Sequence, residues 1–97
     1  DQSNATEAQT VATKFAADKE IVAELGEVAS GRSMAAAPVF QRAGIPMISP
    51  SSTNEKVTQE GDYIFRVCFI DNFQGSVMAR FASEDLKAKK VAIMREQ

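Results

Sequence analysis

Two kinds of segment alternate along this chain, and the alternation leaves few folds open. Residues 5–18 carry Ala8, Val11, Ala12, Phe15 and Ala16 at helical spacing, behind an Asn4–Glu7 pair with the separation of a capping box. A short apolar run follows at 21–25 and stops at Gly26. Residues 30–43 read as a second helix, with Gly44 as its C-terminal stop and Pro38 inside it, costing one backbone hydrogen bond and giving a bend. Residues 45–49 form the next strand. The polar stretch 50–61 reads as a loop, and 63–69 is rich in aromatic and β-branched residues, as strands are. Asp71 and Gln74 repeat the capping-box spacing ahead of a third helix. Val77, Met78, Phe81 and Leu86 share one face of it, and Lys87, Lys89 and Lys90 close it where positive charge suits the helix dipole. Residues 91–94 read as a last buried strand. Strands separated by helices require right-handed crossovers and parallel pairing. The expected fold is therefore α/β, a three-layer α/β/α arrangement with a mostly parallel sheet of about four strands and three helices.

Composition narrows the function. The chain has 97 residues, the length of a single domain, with 44% apolar and 25% charged residues. Its net charge of −2 gives no electrostatic case for nucleic acid or membrane binding. There is no histidine, so the usual general base and commonest metal ligand are missing. No phosphate loop, nucleophile elbow, dinucleotide fingerprint or Cys/His metal spacing occurs. No enzyme activity and no cofactor or metal is expected. The single cysteine, Cys68, excludes an intrachain disulfide and reads as a buried small hydrophobe.

Three stretches resemble the leucine/isoleucine/valine-binding family of type I periplasmic receptors of ABC importers. They are Gly26-Glu27-Val28-Ala29-Ser30, Gly44-Ile45-Pro46-Met47-Ile48-Ser49-Pro50-Ser51-Ser52-Thr53, and Tyr63-Ile64-Phe65-Arg66 followed by Asp71 and Gln74-Gly75. The middle one is the most specific. The resemblance implies a flavodoxin-like half of an N-terminal lobe, from receptors several times longer whose two lobes close over a small amino-acid ligand. It divides the chain into a lobe-one segment, 1–70, and a crossover helix and strand, 71–97. It implies a periplasmic parent that works with a membrane permease, and a fragment that is a soluble recombinant product.

The same resemblance implies the site. Ser30, at a helix N-terminus, would offer its hydroxyl and nearby N–H groups to the ligand carboxylate, a position where the dipole favours an anion. Ser51 would give its carbonyl to the ligand ammonium and Thr53 its hydroxyl and N–H. Ser52 belongs to the same run, at the carboxyl end of a strand, where open α/β sheets bind ligands. Without the resemblance, Ser30 is equally a plain N-cap and 50–53 a turn bonded to its own backbone. The other ligand contacts would come from a second lobe, so free leucine or valine is expected to bind this chain weakly or not at all.

Several residues depart from the family pattern. Glu24 lies in a strand that is otherwise apolar there, at a cost unless it reaches water. It fits an edge strand, where charge guards against strand addition. Alternatively, 91–94 pairs beside 21–25 and Glu24 faces a helix-poor side. Asn54-Glu55 stands where a proline commonly follows the Ser-Ser-Thr run, and Glu60, Ser83-Glu84 and Arg95-Glu96 add charge at expected surface positions. Together they suggest a truncated, engineered α/β scaffold without activity as the alternative to a receptor fragment. Exposed sheet edges leave a homodimer open.

Overall fold

The computed structural model describes residues 2–95. Helix α1, Ala5–Ala17, starts where Asn4 Oδ1 accepts the N–H groups of Thr6 (2.8 Å) and Glu7 (3.4 Å). Strand β1 is only Glu24–Leu25. Helix α2, Ser30–Ala43, passes through Pro38 without interruption and ends on Gly44, whose φ of 68° is left-handed and suits glycine. Strand β2 is Met47–Ser49 and strand β3 is Ile64–Arg66. Between them the expected loop contains a 3₁₀ helix, Glu55–Gln59, because Asn54 caps Lys56 N–H and Val57 is buried as its apolar anchor.

The sheet is parallel in the order β1-β2-β3, with Glu24 opposite Met47 and Met47 opposite Ile64. These three face the helices. Ala12 of α1 and Ala36, Ala37, Val39 and Phe40 of α2 cluster with Met47, Ile64 and Val57. The alanines let α1 and α2 approach closely, and Phe40 and Met47 fill the space between helix and sheet. The α/β class, parallel sheet and three helices are as the alternation implies.

The rest of the architecture departs from expectation. Among the described residues there are three strands, not four. Val91, Ile93 and Met94 are 70–97% exposed and pair with nothing among the described residues, so 91–94 does not replace a strand beside β1. β1 is an edge, as one account of Glu24 requires, but Glu24 faces the helix side. Helix α3, Asp71–Arg80, and the wider turn Phe81–Asp85 bury no residue. Its intended apolar face, Val77, Met78, Phe81 and Leu86, is open to solvent. The sheet face opposite α1 and α2, with Leu25 and Phe65, is likewise exposed, so the layers number two among the described residues. The physical reason is shared: an apolar run becomes a strand or a buried helix only when something pairs with it or covers it. The radius of gyration is 16.6 Å, with a longest extent of 55 Å, against about 13 Å for a compact chain of this length. Cys68 is half-buried rather than enclosed. Glu60, Ser83, Glu84 and Arg95 are exposed as expected, while Glu96 lies outside the described residues.

Candidate functional site

Parallel pairing puts the carboxyl ends of all three strands on one edge. There β1 leads into α2 through 26–29, β2 leads into 50–54, and β3 delivers Arg66. The first two segments are joined by buried serines. The Glu27 carbonyl accepts from Ser33 Oγ (3.0 Å), Ser49 Oγ and Ser52 Oγ (3.1 Å). Ser52 Oγ also lies 3.0 Å from the Val28 carbonyl and 2.7 Å from Ser33 Oγ. Ser49 Oγ accepts the Ser52 N–H at 3.0 Å. Ser33, Ser49 and Ser52 are fully buried, and together they satisfy their own polar groups.

This sorts the four residues named from sequence. Ser52 is spent: its hydroxyl is enclosed and bonded to the chain. Ser30 is not the N-cap of α2, a role held by the backbone of Ala29 with no side-chain cap. Instead Ser30 Oγ accepts the Asn54 N–H at 3.2 Å, tying the helix start to the loop. That uses an oxygen lone pair and leaves the hydroxyl proton to be donated. The Arg32 and Ser33 N–H groups close on the Ala29 carbonyl, and those of Ser30 and Gly31 have no partner among the described residues. Thr53 gives its carbonyl to Asp71 N–H at 3.0 Å, while its hydroxyl and N–H have no such partner. Ser51 is exposed. Ser30, Ser51 and Thr53 thus keep polar groups uncommitted among the described residues, beside a helix N-terminus that suits an anion.

Sequence reading missed three contributors. Ser33 and Ser49 form the frame, and small polar residues within otherwise apolar segments were their only signal. Arg66 stood within a family-like motif but without a role. Its Nη1 donates to the carbonyls of Ser52 (3.1 Å) and Asn54 (2.6 Å), and its Nη2 donates to the Glu55 carbonyl (3.1 Å) and Thr58 Oγ1 (2.8 Å). Asp71 likewise is the first residue of α3 rather than its cap, which is Ile70.

Two carboxylates sit behind the site. Partial burial pushes the Glu27 carboxyl up. The Arg32 hydrogen bond, the Val28 and Ala29 N–H groups and the Arg32 charge outweigh that and hold it below the usual range. Burial, and then the charge of Glu27, push Glu24 up. Glu24 and Glu27 line a cavity of about 160 Å³ with Val11, Phe15, Phe40 and Met47. Among the described residues no cluster of three metal-ligating side chains occurs.

An open parallel sheet with unpaired polar groups gathered at its carboxyl edge is the architecture of a solute-binding lobe. The family model described as periplasmic binding protein matches residues 1–97, and the chain belongs to that family. An amino acid binding protein of Pseudomonas aeruginosa is 36% identical over 92 residues, covering 94% of this chain and 25% of that protein. The solved leucine binding protein of Thermotoga maritima is 46% identical with a TM-score of 0.81, over 90% of this chain and 25% of that one. The branched-chain amino acid transporter substrate binding protein of Streptococcus pneumoniae, solved with isoleucine, is 36% identical with a TM-score of 0.82, over 88% and 24%. The chain spans about a quarter of the length of these relatives. The family is one of periplasmic solute-binding proteins, and no helix among the described residues is long and apolar enough to cross a membrane.

Proposed function

We propose that this chain is part of the N-terminal lobe of a branched-chain amino-acid receptor of an ABC importer, with 1–70 in the lobe and 71–97 leading out of it. Ser30 donates its hydroxyl, and the Ser30 and Gly31 N–H groups donate alongside it, to the ligand carboxylate. The Ser51 carbonyl and the Thr53 hydroxyl meet the ammonium. The observation that supports this reading is that Ser30 Oγ accepts the Asn54 N–H, which leaves its own hydroxyl proton available for donation. The whole receptor works in the periplasm, binding without catalysis and passing its solute to a membrane permease. Two copies of this chain pair through the free edges of β1 or β3.

Because Ser30, Gly31, Ser51 and Thr53 surround only one end of an amino acid, binding by this chain is weak, at about millimolar affinity. Titration with leucine, isoleucine and valine, followed by amide NMR, is expected to shift Ser30, Gly31 and Thr53 with that affinity. Shifts confined to other residues overturn the assignment. No shift at any concentration favours the alternative, an engineered scaffold without activity.

A further inference from the structure

The geometry points to Arg66 as the residue that positions the ligand loop, a role that rests on the proposed solute site. Thr53 lies between two carbonyls, Ser52 and Asn54, and both are held by the same nitrogen, Arg66 Nη1. Nη2 holds the next carbonyl, Glu55, and is itself steadied by Thr58 Oγ1. One planar guanidinium thereby holds the Ser52–Thr53, Asn54–Glu55 and Glu55–Lys56 peptide groups. Ser30 Oγ holds the intervening Asn54 N–H from the other side.

The consequence is directional. The Ser52 carbonyl shares its peptide plane with the Thr53 N–H, so turning that carbonyl toward Arg66 sets the orientation of the Thr53 N–H. The Thr53–Asn54 plane is held by the Asp71 N–H on the Thr53 carbonyl and by Ser30 Oγ on the Asn54 N–H, and Arg66 fixes the plane after it through the Asn54 carbonyl. Charge alone does not do this. A lysine ammonium is a point donor without the fork that spans adjacent carbonyls. Arg66 touches no solute in this scheme. It acts by keeping Thr53 preorganised, so that little ordering is left to binding.

Arg66→Lys is the test, because it keeps the charge and removes the fork. Amide hydrogen exchange of Asn54 and Lys56, whose N–H groups are held by Ser30 Oγ and Asn54 Oδ1, is expected to accelerate about tenfold, and leucine affinity to fall about tenfold, with α1 and α2 amides unchanged. Unchanged exchange at Asn54 and Lys56, or unchanged affinity in a loosened loop, overturns the proposal. If Arg66→Lys does not fold, Thr58→Val decides. It removes only the Thr58 Oγ1 contact of Nη2 and is expected to speed exchange at Asn54 and Lys56 by a smaller factor in the same direction, and no change there overturns the proposal. If the native chain itself fails to bind leucine, the proposed function falls, and exchange in the same samples still decides whether Arg66 holds the loop.

Discussion

Glu24 places a carboxylate between an edge strand and the apolar underside of α1, with Glu27 nearby and no cation facing it among the described residues. Burial and then Glu27 raise its pKa in the folded state above 4.5. The protonated form is therefore the one the fold prefers. Its contribution to stability is full below the unfolded pKa and is lost as pH rises through the folded one. Glu24→Gln is expected to raise the denaturant midpoint at pH 7 by the equivalent of about 1 kcal/mol or less, since solvent screens part of the effect. The gain should vanish below about pH 4, where Glu24 is already neutral. An equal gain at both pH values would show that packing, not charge, sets the cost. The misfit of Glu24 was legible in the sequence, because a charge in an apolar run stands out. The division of labour among Ser30, Ser51, Ser52 and Thr53 was not. Spacing put all four at the strand ends, but which hydroxyl turns inward depends on where the Glu27 and Val28 carbonyls lie, which only the fold determines.

Among the elements, α1 and α2 were readable because each carries its own signals: an Asn cap, a helical apolar period, a glycine in the left-handed region. The strands were readable in position but overlong, because β1 and β3 each have one partner and pairing ends where β2 ends. The stretch 91–94 has a strand's composition but lacks a partner among the described residues. Helix α3 shows the same limit in another form. Its period is helical and it is a helix, yet it buries nothing. Its hydrogen bonds therefore have little packing to protect them, since a helix of 10 residues is marginal in water. Amides of Asp71–Arg80 are expected to exchange at least about a hundredfold faster than those of Ser30–Ala43. Equal protection would show that α3 is covered in solution.

At the scale of the molecule, apolar surface is unevenly placed. Leu25, Phe65 and Val67 stand on the bare sheet face, and Phe73, Val77 and Phe81 follow along α3, all between 47% and 81% exposed. Exposed apolar surface of this kind is sticky. The weight-average mass by light scattering is expected to rise with concentration, and Phe65→Thr with Val67→Thr to reduce that rise while leaving the thermal midpoint within about 3 °C. A mass that stays monomeric over the whole range would show that these side chains cover one another.

The Ser33–Ser49–Ser52 frame has a consequence for ancestry. Because those hydroxyls are buried and spent on the backbone and on one another, the groups proposed to meet a solute at Ser30, Ser51 and Thr53 are free to change separately. Lineages that kept the three inner serines could trade one cargo for another by replacing outward groups alone, and the scaffold would outlast each preference it carried.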